Sequence, residues 1–166
     1  MFSKFSWALI LMLSTICTTA IAQDFYADYQ SKAELLITQL EREQFEEAYK
    51  TLAQLKVLGI SMVDLYSAKK PACKASGTIF KEDLKNMENL SVEEIEKLYH
   101  DGERFPNAPK NCYYGRTLLV HPIMNRVRVK NALANSSYWT NDMSTTALNE
   151  VNETIAYLPY IKSLLN

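Results

Sequence analysis

The chain has 166 residues, of which 18 are basic and 19 acidic, giving a formal net charge of −1. So near-neutral a balance provides no electrostatic footprint for nucleic acid and no polybasic case for a membrane surface. The length suits one domain with one core, and no shift in composition argues for a second.

Residues 1–22 read as an export signal. Lys4 supplies the charge, Trp7 to Ile16 the apolar run, and Ala20-Ile21-Ala22 an A-x-A cleavage site, so the mature chain is expected to begin at Gln23. The apolar run is short for a bilayer span, which takes about 20 residues, and no stable membrane span is expected once it is cleaved. Cys17 leaves with the signal. Residues 23–166 form the expected single helical domain, with 17 basic residues against 19 acidic and a net charge of −2. The expected location is exported, either periplasm or extracellular. An oxidising compartment makes the remaining pair, Cys73 and Cys112, an expected disulfide. It closes a loop of about 40 residues, which the chain-entropy model equates with on the order of 4 kcal/mol.

In chain order, Asp24 to Glu41 places Phe25, Tyr29, Ala33, Leu36, Ile37 and Leu40 at helical steps. Glu41 to Gln44 reads as a tight turn or as unbroken helix. A second helix follows, with Phe45, Ala48, Tyr49, Leu52 and Leu55 on one face, ending near Gly59. Its phrase FEEAYKTLAQL resembles one unit of a tetratricopeptide repeat, but no second copy follows, and a lone unit reads as a helical hairpin. Ile60 to Tyr66 suits a short helix or the tail of the previous one. Pro71 breaks the pattern, and Cys73 is expected in a loop running to Gly77, with Thr78 capping a helix through Ile79, Phe80, Leu84 and Met87.

Ser91 and Glu94 form a capping box ahead of Ile95, Leu98 and Tyr99, in a helix expected to stop near Gly102. Pro106 and Pro109 hold an extended connector to Cys112, and Asn111 is expected to cap a helix through Tyr113, Leu118 and Leu119. Pro122 predicts either a kink or a break, since its ring clashes with the Leu118 carbonyl and it has no N–H to donate. Arg126 to Lys130 alternates as a strand would, but no partner strand is evident and helix is favoured. Asn135 to Asn141 reads as loop, Ser144 as the cap of a last helix through Leu148, Val151, Ile155 and Leu158, and Pro159 as its kink or end. These elements predict an all-α, single-domain bundle of about five or six helices with one disulfide.

The chemistry is sparse. Two histidines, His100 and His121, exclude any site built on several imidazoles. His100-Asp101 resembles the metal-binding dipeptide of the HD phosphohydrolases, whose site needs further histidines and another Asp that this chain does not supply. Zinc through His100, Asp101, Glu103 and His121 is a weak reading, so no metal site and no cofactor are expected. H-E-x-x-H, G-x-S-x-G and the Walker lysine loop are absent. Cys112 with His121 forms a nucleophile–base pair only if the thiol is free. A non-covalent haem would draw on His100, His121, Met62, Met87, Met124 and Met143, although methionines at helical spacing usually fill cores. His121 is expected to donate to the carbonyl freed at Leu118 or to sit at a pocket mouth. Arg126 and Lys130 share a helical face and offer an edge for an acidic partner or an anion. Ten tyrosines cluster at Tyr26 and Tyr29, Tyr113 and Tyr114, and Tyr157 and Tyr160, a residue type suited to surfaces with one dry and one wet side.

The reading that results favours an exported, disulfide-stabilised binding or protein-interaction module over an enzyme, without deciding between them. Its candidate site residues are His100, His121, Arg126 and Lys130, and its expected partner is another exported protein or a small ligand. A haem or small-ligand carrier is the alternative, and an exported hydrolase the third reading.

Overall fold

The computed structural model describes residues 25–105 and 107–165; the expected export signal lies outside them. Among these residues the chain is all-α, a single-domain bundle without strands. Helix α1 covers residues 25–41, α2 Phe45–Lys69, α3 Lys74–Met87, α4 Val92–Ile95, α5 Tyr113–Ala134 and α6 Asn141–Leu165. The Cys73–Cys112 disulfide is formed, with Cα atoms 5.5 Å apart.

The α1 stripe is buried as its spacing predicts, through Tyr29, Ala33, Leu36 and Leu40. Of the two readings for Glu41 to Gln44, the tight turn holds. Glu43 takes φ +53°, and the Gln44 N–H reaches back to the Gln39 carbonyl at 2.8 Å, closing the helix end with a left-handed residue.

Helix α2 does not end near Gly59 but continues ten residues further, to Lys69. Gly59 serves a close approach of helices instead: a Cβ there would lie 2.5 Å from the Leu118 carbonyl oxygen of α5. Cys73 is likewise not in a loop to Gly77. Pro71–Cys73 is a single 3-10 turn and α3 begins at Lys74. Thr78, expected as a cap, lies inside α3, where its hydroxyl bonds the Lys74 carbonyl at 3.1 Å. The capping box at Ser91 is present in both directions, with Ser91 N–H to Glu94 at 2.8 Å and Glu94 N–H to Ser91 Oγ at 3.2 Å.

Asn111 is not the cap of α5; it sits in the 3-10 turn Lys110–Cys112, and its carbonyl accepts from the Tyr66 hydroxyl at 2.6 Å. Ser144 is displaced in the same way, because α6 starts one turn earlier and Thr140 Oγ1 accepts from the Met143 N–H at 3.3 Å. Both prolines lie inside continuous helices, Pro122 in α5 and Pro159 in α6.

Helix α5 is the axis of the molecule. Leu118 and Val129 face the core shared with α1, α2 and α6, whereas Leu119, Val120, Ile123, Met124 and Val127 face a second core built with Phe80, Met87, Ile95, Tyr99 and Phe105. A helix apolar on nearly every side is one enclosed by neighbours. Its few polar positions are therefore costly to bury and must be paired.

Candidate functional site

After α4 the chain makes one wide π turn over Glu96–His100, in which the Asp101 N–H reaches the Glu96 carbonyl at 2.8 Å. Such turns interrupt a helix at some cost and are frequent at functional sites. Here the widened turn lets two consecutive residues face the interior. Tyr99 enters the aromatic group with Phe80 and Phe105, and His100 stacks on His121 of α5 with ring centroids 5.1 Å apart.

His121 is buried against α6. Its Nδ1 lies 3.0 Å from the Glu150 carbonyl oxygen and 2.9 Å from Thr154 Oγ1. A carbonyl only accepts, so Nδ1 carries the proton and Nε2 keeps its lone pair. That Nε2 is buried and has no hydrogen-bond partner. Burial, and then the neighbouring His100, push the pKa of His121 down to about 4, so the ring is neutral at pH 7. The sequence-based expectation that His121 latches the carbonyl freed by Pro122 is corrected: the Leu118 oxygen accepts from the Tyr29 hydroxyl at 2.8 Å, and His121 turns to α6.

Around the two rings stand Tyr113, Glu153 and Tyr157. The Tyr113 hydroxyl is 2.7 Å from His100 Nε2 and 3.3 Å from Glu153 Oε1, and Tyr157 donates to the same Glu153 oxygen at 2.6 Å. The hydrogen bond from Tyr157 to Glu153, together with burial, raises the Tyr157 phenol to about 12. Burial raises Tyr113 as well, with the Glu153 charge adding to it. His100 Nδ1 lies 3.3 Å from the Asp101 carboxylate, an acceptor, which places the proton on Nδ1 and leaves Nε2 to accept from Tyr113. One ligand atom from each of His100, His121 and Glu153 falls within 4.8 Å of the other two.

Tyr113 is also a wall of an open cavity of about 570 Å³, bounded by Asp101, Gly102, Phe105, Lys110 and Arg116 among others. The Arg116 guanidinium lies over the Phe105 ring at 5.3 Å and the Tyr113 ring at 5.6 Å. Its Nε is buried without an acceptor, and burial lowers its pKa. Gly102, at φ +90°, leaves the space the guanidinium uses; a Cβ would stand 2.5 Å from Nη1.

The other candidates sit elsewhere. Arg126 bonds Glu88 at 3.1 Å, reaches the Tyr49 carbonyl at 3.2 Å and lies over the Tyr49 ring at 3.9 Å, which ties α5 to α2 and α3. Lys130 is exposed. Neither joins the histidine cluster. Arg128, which the helical wheel separates from those two, is buried. It holds Glu150 of α6, with Nη2 to Oε1 at 2.7 Å, and bonds Asn125 Oδ1 at 3.1 Å. Burial raises the Glu150 carboxyl against the opposing pull of Arg128.

Sequence reading found the two histidines, named Tyr113 and Tyr157 only as members of tyrosine clusters, and missed Arg116 and Glu153. The one available signal was the tyrosine pairing around residues 113 and 157, because Tyr114 packs on both Tyr157 and Tyr160, with centroids at 4.9 and 4.5 Å. Comparison with known proteins adds no relative: no family model matches the chain, and neither a curated protein nor a solved structure matches it.

Proposed function

We propose that this chain is an exported, disulfide-stapled binding protein of the periplasm or cell exterior, which takes a small ligand bearing one anionic group in the cavity beside Tyr113. Arg116 carries the reading. A guanidinium is always charged, and a buried N–H of it without an acceptor is expensive. A carboxylate or phosphate entering the cavity that Arg116 lines pairs with the guanidinium in the fork geometry arginine favours once the side chain turns its Nε edge toward it. Lys110 adds a positive charge to the rim, while Asp101 and Glu103 on the same rim weigh against a ligand of high negative charge.

The space available favours a small ligand over haem. The cavity directly against His121 holds about 10 Å³, and Met62, Met87 and Met124 are fully packed in the cores. A hydrolase acting through Cys112 lacks its free thiol, since that sulfur is bonded to Cys73.

Native mass spectrometry of protein exported by its own signal tests both halves of the proposal. The expected species is a chain beginning at Gln23 that carries an organic adduct, released on denaturation and absent from an Arg116→Gln variant. A bare wild-type chain, or an adduct retained by Arg116→Gln, overturns the ligand assignment. An intact signal on the isolated protein overturns export.

A further inference from the structure

From the convergence of His100, His121 and Glu153 we infer a binding site for a divalent first-row transition-metal ion, of which Zn²⁺ is the natural probe. It is distinct from the Arg116 cavity. Three observations support it. The first is His121 Nε2, a lone pair buried in a protein interior with no hydrogen bond, on a ring that stacks against a second imidazole. An unpaired buried acceptor is a cost that evolution ordinarily removes, and a metal ion removes it.

The second is the orientation of the ligands by their outer neighbours. Metal-binding histidines typically donate their other ring N–H to a carbonyl or carboxylate, and bound carboxylates are themselves hydrogen-bonded. Each prospective ligand has such a partner: His121 the Glu150 carbonyl, His100 the Asp101 carboxylate, and Glu153 the Tyr157 hydroxyl. His100 binds through Nε2, the atom that the Tyr113 hydroxyl meets at 2.7 Å, so metal binding turns that hydroxyl over to Glu153 Oε1, already 3.3 Å away.

The third is distance and charge. The three ligand atoms lie within 4.8 Å of one another, whereas ligands at about 2.0–2.2 Å from zinc stand roughly 3.3–3.6 Å apart. His100 and Glu153 are only half-buried and belong to different elements, so a side-chain movement of about an ångström closes the difference around the fixed His121. Two imidazoles and one carboxylate suit zinc or its neighbours better than Mg²⁺ or Ca²⁺, which prefer all-oxygen sets.

Calorimetric titration of the full mature protein with Zn²⁺, after chelator treatment without reductant, is the test. The expected result is one equivalent per chain with a Kd in the micromolar range or tighter, unaffected by a large excess of Mg²⁺. His121→Asn risks misfolding because the ring is buried, so the variants that decide are His100→Asn and Glu153→Gln. Each is expected to weaken Zn²⁺ binding at least tenfold while keeping the wild-type far-UV spectrum and leaving Arg116 untouched. Absence of saturable Zn²⁺ binding by the wild type, or wild-type affinity in both variants, overturns the site.

Discussion

Pro122 deprives the Leu118 carbonyl of the N–H it would meet in an unbroken helix, and that oxygen lies at the buried junction of α1, α2 and α5. Tyr29 supplies the missing donor at 2.8 Å from 89 residues away. Removing the hydroxyl leaves a buried acceptor bare, a penalty of about 1–3 kcal/mol. Tyr29→Phe should therefore lower the stability read from urea unfolding by that amount. In a Pro122→Ala background the same change should cost less, because an alanine at that position restores an N–H for the Leu118 oxygen. A double-mutant cycle reads the difference, and purely additive effects would mean the hydroxyl and the proline do not share that carbonyl. The sequence marked Pro122 as an irregularity and His121 as the residue to compensate it. The actual partner was out of reach of any local rule, since Tyr29 looked like one more apolar position of α1.

Between elements, the decisive contact is the approach of α2 to α5. A glycine within a helix is usually read as a stop or a weakness, and replacing it with alanine gains up to about 1 kcal/mol of helix propensity. At Gly59 the added Cβ would stand 2.5 Å from the Leu118 carbonyl oxygen, a backbone atom that moves only with α5. Overpacking of that kind costs about 1–3 kcal/mol, so the clash outweighs the propensity. Gly59→Ala is thus expected to lower the melting temperature, although secondary-structure propensity alone predicts a rise; an unchanged or raised melting temperature would show that α5 gives way freely. The same logic separates what could be read in advance. Apolar spacing identified α1, the first half of α2 and most of α6, because periodicity is local. Helix ends near Gly59, Gly77 and Ser144 were misplaced because each helix runs past its local propensity signal, and Asn111 because a 3-10 turn stands before α5. His100 and His121 were visible as the only imidazoles, but their meeting with Glu153 depends on a π turn and on the register of α5 against α6, and neither leaves a mark in composition.

At the scale of the whole molecule, one covalent bond lies in the first core, which holds both cysteines, and tethers the start of α3, a helix of the second. Cys73 precedes α3 and Cys112 precedes α5, so the disulfide joins the element that closes one core to the helix both cores share. The pole it secures also holds the 3-10 turn before Tyr113, and hence the positions of Tyr113 and Arg116. Nearby hydrogen bonds, Tyr66 to the Asn111 carbonyl at 2.6 Å and Ser76 to the Cys73 carbonyl at 2.8 Å, depend on the same backbone. A Cys73→Ser, Cys112→Ser variant should lose about 2–5 kcal/mol of stability. If the bridge acts mainly on the unfolded chain, releasing it lets the denatured ensemble expand, so the urea m-value should rise as the midpoint falls. A fall in midpoint with an unchanged m-value would place the effect in the native state instead, in the packing of the turn that carries Tyr113. The variant also reaches both proposed sites. Arg116 is three residues from Tyr113 on the first turn of α5, so its cavity should be perturbed, and because Tyr113 itself bonds His100 the Zn²⁺ affinity should fall as well, though by less than in His100→Asn, at temperatures where the variant stays folded.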